Sequence, residues 1–132
     1  MFEEDNNDSK IYNLIISNGK DVNNEYDQFL EKIYSKTDFL WKESLSSSYL
    51  TAGDDFFKKV DVIIILAGLY NDNKDKIDEL VEASIKNKKP ILLVRPYGVE
   101  EVPENLEEVS TGIVGWNANC IVEDIKNIAN MN

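Results

Sequence analysis

The stretch that most constrains the fold is "VDVIIILA", residues 60–67, a nearly continuous apolar run rich in β-branched side chains. A strand that is apolar on both faces is typical of a parallel sheet covered by helices on both sides. The run stops abruptly at Gly68, and an aromatic residue and a polar loop follow before the next helical pattern. In parallel α/β sheets a ligand often lies at such a break, so this position is where a functional site is expected.

Similar apolar stretches recur along the chain, with helical patterns between them. Strands are predicted at residues 11–17, 60–67, 90–94 and 112–116, with a short edge strand at 37–41 and a short helix at 53–60. Amphipathic helices are predicted where apolar residues recur at helical spacing, as at Tyr26, Phe29, Leu30 and Ile33, and again at Ile77, Leu80, Val81 and Ile85. This alternation predicts a doubly wound, flavodoxin-like α/β sandwich with a five-strand parallel sheet of order 2-1-3-4-5. Residues 1–9 are predicted to be a disordered acidic leader, and residues 10–132 to form a single domain.

Charge and composition exclude several classes of function. The net charge of -11 disfavours nucleic acid and anionic membrane surfaces as partners. The absence of histidine excludes a Ser-His or Cys-His nucleophile pair and an imidazole metal site, and one cysteine cannot form an internal disulfide. Cys120 is predicted to be a small buried hydrophobe on the last helix. The longest apolar run is too short to span a bilayer, so the protein is expected in the cytoplasm.

In a sheet of this order, ligands bind where the strand order reverses, which is between the ends of the first and third strands. The loops at residues 17–21 and 67–72 are therefore predicted to lie side by side. A phospho-accepting receiver domain needs an aspartate at the end of the third strand, and Ala67 and Gly68 occupy that place, so the sequence argues against a receiver. A Walker loop, a GxGxxG turn and a flavodoxin-type phosphate loop are also missing.

Glu79 is the candidate for chemistry at this edge. It lies at the margin of the apolar stripe of the helix that begins near Asp75. A partly desolvated carboxylate there would suit orienting a diol or stabilising an oxocarbenium-like state. The alternative is that Glu79 only solvates an acidic helix, and its spacing leaves both interpretations open.

Five segments carry a resemblance to a known family, and they occur in the family's order: "LIISNGKD", "DFLWKESLSS", "VDVIIILAGLY", "IDELVEASIKNKKPILLVRPYG" and "IVGWN". Together they resemble the TIR-like family of the Thoeris defence protein ThsB, related to Toll/interleukin-1 receptor domains, over residues 10–127. The resemblance implies an NAD nucleosidase or ADP-ribosyl cyclase in antiphage signalling, with NAD as substrate and no cofactor or metal. It implies a catalytic role for Glu79. It also implies an NAD-binding role for the following residues: Ser17, Asn18, Gly19, Asp21, Trp41, Ser44, Gly68 and Tyr70.

A second interpretation is a non-catalytic module that assembles with itself or with a partner effector protein. It is favoured because Asn18 and Gly19 stand where the family often has an aromatic residue or histidine. Self-association is predicted through residues 45–50, where Tyr49 and Leu50 either protrude or fold back on the domain.

Two other positions also leave alternatives open. Trp116 either forms the floor of a pocket or packs in the core. Residues 95–108 are predicted to be a solvated loop, except that Arg95, at a strand end, either meets a pyrophosphate or bonds to its acidic neighbours.

Overall fold

Strands and helices alternate along the chain, as the apolar periodicities predict. The computed structural model describes residues 10–17, 24–46, 48–49, 51–99 and 101–131. The strands are β1 (Ile11–Ile16), β2 (Leu40–Glu43), β3 (Val62–Leu66), β4 (Ile91–Val94) and β5 (Gly112–Val114). The helices are α1 (Asn24–Tyr34), α2 (Asp54–Lys58), α3 (Lys74–Lys86), α4 (Glu104–Val109) and α5 (Ala118–Ala129), and a short 3-10 helix, Ala67–Leu69, follows β3 directly.

The strands form one parallel sheet of five strands in the order β2-β1-β3-β4-β5. This confirms the predicted doubly wound, flavodoxin-like fold. Every residue of β3 is buried, because the strand lies in the middle of the sheet and its register sets Ile64 beside Ile16 of β1 and Leu92 of β4. Right-handed crossovers place α1 and α5 together on one face, where they are in contact, and α2, α3 and α4 on the other.

The predicted helical stripes supply the two apolar layers of the core. Phe29 and Ile33 of α1, and Ile77 and Leu80 of α3, are almost completely buried. Each such side chain contributes about 1.5–3 kcal/mol by leaving water. Ile85, also predicted to belong to the stripe of α3, is instead exposed.

Cys120 is exposed, so the prediction that it is buried is wrong. It lies in the first turn of α5, where its N–H donates to the Asn117 side chain that caps the helix. The buried stripe of α5 begins one residue later, at Ile121 and Val122. Since neighbouring residues on a helix point about 100° apart, Cys120 faces away from the sheet.

Two elements also differ from the sequence-based expectation. The edge strand predicted at residues 37–41 is Leu40–Glu43, and residues 95–108, predicted as a loop, contain most of α4. Pro103 precedes that helix, and buried Leu106 anchors it to the core. The predicted leader, residues 1–9, lies outside the described residues. Within the described part of the chain, no helix has the length and apolar character needed to cross a membrane.

Candidate functional site

The carboxyl ends of β1 and β3 are adjacent, as the strand order predicts. Ser17, which follows β1, donates its N–H to the Ile64 carbonyl oxygen at 2.9 Å. Its Oγ accepts a hydrogen bond from the Leu66 N–H, also at 2.9 Å. The buried hydroxyl thus joins the two strand ends. The other members of the predicted first loop, Asn18, Gly19 and Asp21, lie outside the described residues, and their roles stay predictions.

A cavity of about 120 Å³ opens beside this junction. It lies between the end of β1, the segment that follows β2, and α3. Its described lining residues are Ile16, Ser17, Leu45, Ser46, Tyr49, Lys76, Ile77 and Leu80. Drug-sized ligands occupy pockets of about 300–1,000 Å³, so this cavity suits a few water molecules or one small chemical group.

Glu79 lies on the half-buried margin of α3 that the sequence predicts, next to the cavity-lining residue Leu80 in the chain. Its Oε2 accepts a hydrogen bond of 2.9 Å from the hydroxyl of Ser48. Ser48 belongs to the segment after β2 that forms one wall of the cavity. In this structure Glu79 therefore fastens that segment to α3.

The remaining predicted binding residues lie in different places. The Trp41 ring packs on Tyr34 of α1, with 4.8 Å between centroids, whereas the helical wall of the cavity is α3. The Ser44 N–H donates to the Leu14 carbonyl and extends the pairing of β2 with β1. Gly68 is exposed in the 3-10 helix. The structure thus brings Ser17 to the cavity, connects Glu79 to the segment that forms one of its walls, and places Trp41 and Gly68 outside its described lining.

Tyr70 is buried and links two helices. Its hydroxyl donates to Asp78 of α3 at 2.8 Å and accepts from the Asn105 side chain of α4 at 2.8 Å. Burial raises the pKa of Tyr70, and the bond to Asp78 raises it further. The side chain therefore has a structural role in this conformation, and an NAD-binding role for it stays a prediction.

A buried carboxyl that the sequence reasoning missed lies beside Gly68. Glu25, in the first turn of α1, accepts a hydrogen bond from the Gly68 backbone. Its Oε2 is buried and has no hydrogen-bond partner among the described residues. Burial raises the pKa of Glu25, and the bond from Gly68 partly offsets that rise. Helical spacing could have revealed it, because Glu25 lies four residues before the buried Phe29 and continues its stripe.

Glu43, the last residue of β2, is a second such carboxyl. Its Oε1 accepts a hydrogen bond of 2.7 Å from the Tyr26 hydroxyl, and its Oε2 is buried without a described partner. Burial raises the pKa of Glu43, and the Tyr26 bond partly offsets it. The pKa of Tyr49 in the cavity wall is raised by burial and then by the charge of Glu43, so this carboxyl acts electrostatically on the cavity.

The described residues contain no cluster of three or more acidic, histidine or cysteine side chains arranged to hold a metal ion. Directly after β3, where a receiver domain carries its phosphoryl-accepting aspartate, the chain has Ala67, Gly68 and Leu69. A phosphoryl transfer at this edge would need both a carboxylate acceptor and carboxylate ligands for Mg²⁺.

No protein-family model matches the chain, and no curated protein matches it. Solved structures with the same fold include a pilus assembly-related protein from Burkholderia pseudomallei, with a TM-score of 0.60 and 12% identity over 89% of each chain. They also include the signal receiver domain of a Luxo repressor protein from Vibrio parahaemolyticus, with a TM-score of 0.55 and 11% identity over 89% of this chain and 88% of that one. At such identities the shared property is the fold.

These neighbours overturn the resemblance to the TIR-like family of ThsB. The predicted NAD-cleaving hydrolase activity and the Thoeris defence role, which depended on it, are wrong. The quoted segments coincide with general elements of the fold: "VDVIIILAGLY" covers β3 and its 3-10 helix, and "IVGWN" covers the end of β5 and the cap of α5. Any doubly wound domain supplies such elements in this order. The sequence argument against a phospho-accepting receiver concerned the aspartate alone, and its place is indeed taken by Ala67 and Gly68.

Proposed function

We propose that this protein is a non-catalytic regulatory module with a receiver-type fold, which acts by binding other proteins. The observation that carries the proposal is the junction after β3, where Ala67 and Gly68 replace the phosphoryl acceptor of a receiver domain. Two of the described polar side chains next to this junction already have structural roles. Ser17 joins the two strand ends, and Glu25 binds the Gly68 backbone.

The names of the fold neighbours support regulation or assembly. One is described as a signal receiver domain and the other as pilus assembly-related. Assembly and signal reception are roles that a domain can fulfil through contacts with other proteins. Applied to this chain, the two descriptions favour a protein that acts by binding other proteins. Phosphorylation at the junction after β3 would not be part of that action.

The edge of the sheet at β2 is the surface we assign to such contacts. Ile11 and Leu40 are paired across β1 and β2 and are 54% and 45% exposed; Tyr34, whose ring packs on Trp41 of β2, is 68% exposed. Exposed apolar side chains that cluster in this way mark interaction sites, and an edge strand can also pair with another chain. Leu45, in the segment earlier predicted to mediate self-association, is 69% exposed. Tyr49 of that segment packs on Phe56 at 6.1 Å and folds back, and Leu50 lies outside the described residues.

A phosphorylation assay tests the catalytic side of the proposal. The protein is incubated with acetyl phosphate and Mg²⁺ and its intact mass is measured, with the Vibrio parahaemolyticus receiver domain as a positive control. We expect the control to gain a phosphoryl group and this chain to gain none. Phosphorylation of this chain to the extent of the control would contradict the proposal.

Sedimentation velocity tests the surface. If the partner is a second copy of the chain, Leu40→Glu should weaken the association. Ile85→Glu, at an exposed apolar position on α3, is the matched control and should leave it unchanged. Equal effects of the two changes would exclude the β2 edge as the contact, and a monomer at all concentrations would direct the search to a different partner protein.

A further inference from the structure

Arg95 lies at the other side of the sheet, directly after β4. Its N–H donates to the Val114 carbonyl oxygen at 2.9 Å, so the pairing of β4 with β5 extends to it. Its guanidinium lies against Gly115, where a Cβ atom would be only 3.1 Å from Nη2. Its side chain forms a wall of two surface cavities, of about 230 and 360 Å³. Glycine at position 115 therefore leaves the room that the guanidinium occupies.

The guanidinium has unused hydrogen-bonding capacity. Nε of Arg95 is buried and has no hydrogen-bond partner among the described residues. The salt bridges between described residues join Lys10 to Asp61 and Lys58 to Asp55, and Arg95 belongs to neither. A guanidinium presents five donors in a rigid planar fork that matches the oxygens of carboxylates and phosphates. A ligand with such oxygens would therefore suit the Arg95 guanidinium.

The two cavities differ in the charge of their walls. The larger cavity includes Glu101 and Glu107, which would repel an anion. The smaller one has no acidic side chain among its described lining residues, which are Arg95, Pro96, Tyr97, Gly98, Val99, Gly115 and Trp116. We call this smaller cavity the Arg95 pocket. An anion bound by Arg95 is therefore favoured on this side of the guanidinium.

Two further features add positive potential to the Arg95 pocket. The ammonium group of Lys32 lies 5.5 Å from the centre of the Trp116 ring. The helix α5 begins at Ala118, shortly after Trp116, and the N-terminal end of a helix favours negative charge. In a protein of net charge -11, this is a local site at which an anion is attracted.

The wall of the pocket also includes two aromatic residues. Trp116 is half-buried against Phe29, with 6.3 Å between ring centroids, and its ring contributes to the pocket wall. Tyr97, on the opposite loop, is 84% exposed. Aromatic side chains in this arrangement offer faces on which a planar group packs. The volume of about 230 Å³ is below the range of drug-sized ligands, so the ligand is small.

We infer that the Arg95 pocket binds a small organic anion. The ligand would carry a carboxylate or phosphate monoester, whose oxygens pair with the Arg95 guanidinium, on a flat apolar body that packs against Trp116. This site lies away from the cavity between β1 and α3 and does not depend on the function proposed above.

Ligand titration tests the inference with four probes: phenyl phosphate, benzoate, inorganic phosphate and neutral benzyl alcohol. The chain has two tryptophans, so Trp116 fluorescence is followed in a Trp41→Phe background. We expect saturable changes with phenyl phosphate or benzoate, weaker binding of inorganic phosphate, and no saturable change with benzyl alcohol. The stronger of the two aromatic anions identifies the preferred oxyanion.

Three variants distinguish binding at Arg95 from an effect of the protein's overall charge. Arg95→Gln should weaken binding by at least about tenfold, the loss expected when a charge-assisted hydrogen bond is removed. Gly115→Ala should weaken it less, because its new methyl group presses on the guanidinium. Lys86→Gln, which removes one positive charge on α3, should bind like the parent. Urea denaturation of each variant establishes that it is folded.

Three results would overturn the inference. These are the absence of saturable binding by any anionic probe, parental affinity in folded Arg95→Gln, and equal weakening by Lys86→Gln and Arg95→Gln. Equal affinity for inorganic phosphate and phenyl phosphate would overturn the assignment of an apolar body and leave an oxyanion site alone.

Discussion

The contact between Glu25 and Gly68 makes a sharp prediction about Gly68→Ala. Gly68 lies in a 3-10 helix and has no positive φ, so alanine fits its backbone. A Cβ atom there would overlap the Glu25 carboxylate, with Cδ at 2.8 Å. Because the carboxylate ends a flexible side chain, we expect it to swing away and lose the hydrogen bond from the Gly68 N–H.

The size of the effect follows from two opposing terms. Losing the hydrogen bond costs about 0.5–1.5 kcal/mol of the free energy of unfolding. Replacing glycine by alanine stabilises by about 0.4–1 kcal/mol, because the unfolded chain has less freedom to lose. In the parent the two terms nearly cancel. In a Glu25→Ala background only the stabilising term remains, so the effect of Gly68→Ala should be about 1 kcal/mol more favourable there.

Urea denaturation of the four proteins of this double-mutant cycle measures the difference. Gly98→Ala is the control: Gly98 has φ of 78° and open space around its Cβ position, so alanine there strains the backbone regardless of Glu25. Equal effects of Gly68→Ala in the two backgrounds, within about 0.3 kcal/mol, would refute the argument. The pKa of Glu25 gives a second readout, since a carboxyl displaced into water should return towards its ordinary value.

Three further predictions concern other parts of the fold. Tyr26→Phe removes the hydrogen bond that lowers the pKa of Glu43, so the pKa of Glu43 should rise further in the variant. A carboxyl whose pKa is raised by folding makes the protein less stable once pH rises through that pKa, so the variant should lose more unfolding free energy at pH 7.5 than at pH 4. The difference between the two losses should be at most about 1 kcal/mol for this half-exposed carboxyl, as urea denaturation at the two pH values would measure. Similar losses at both pH values would contradict this. Ile64→Ala, in the middle of β3, should cost about 2–5 kcal/mol in the same assay, and a loss below 1 kcal/mol would argue against a fully packed site. Cys120 should react with a thiol reagent in the native protein about as fast as in urea, and protection in the native state would restore the buried interpretation.

The fold could be predicted from the sequence because its strongest signals are local. β3 is apolar on both faces, which only a covered parallel sheet accommodates, and the short connections restrict the strand order. The boundaries of the edge strand β2 were harder to predict. Lys42 of β2 is exposed and its neighbours are only partly buried, so an edge strand lacks the continuous apolar run that marks a central one, and its predicted boundaries were shifted.

Only the position of the candidate site could be predicted from the sequence, and not the contacts of its side chains. The strand order correctly places the ends of β1 and β3 side by side, and Glu79 does lie at the margin of α3. The partners of these groups depend on tertiary contacts that no spacing reveals. Ser48 reaches Glu79 from 31 positions earlier in the chain, and Tyr26 reaches Glu43 across 17. The resemblance to a family failed for the related reason that its motifs described strand ends common to many families.

The junction after β3 also determines how long a signal could last in this protein. A covalent mark persists after the enzyme that wrote it has left, whereas a noncovalent complex lasts only until it dissociates. Ala67 and Gly68 have no side-chain oxygen on which such a mark could be written. A module that works as proposed therefore retains no covalent modification at this position. The fraction of the protein in complex then follows the concentration of its partner.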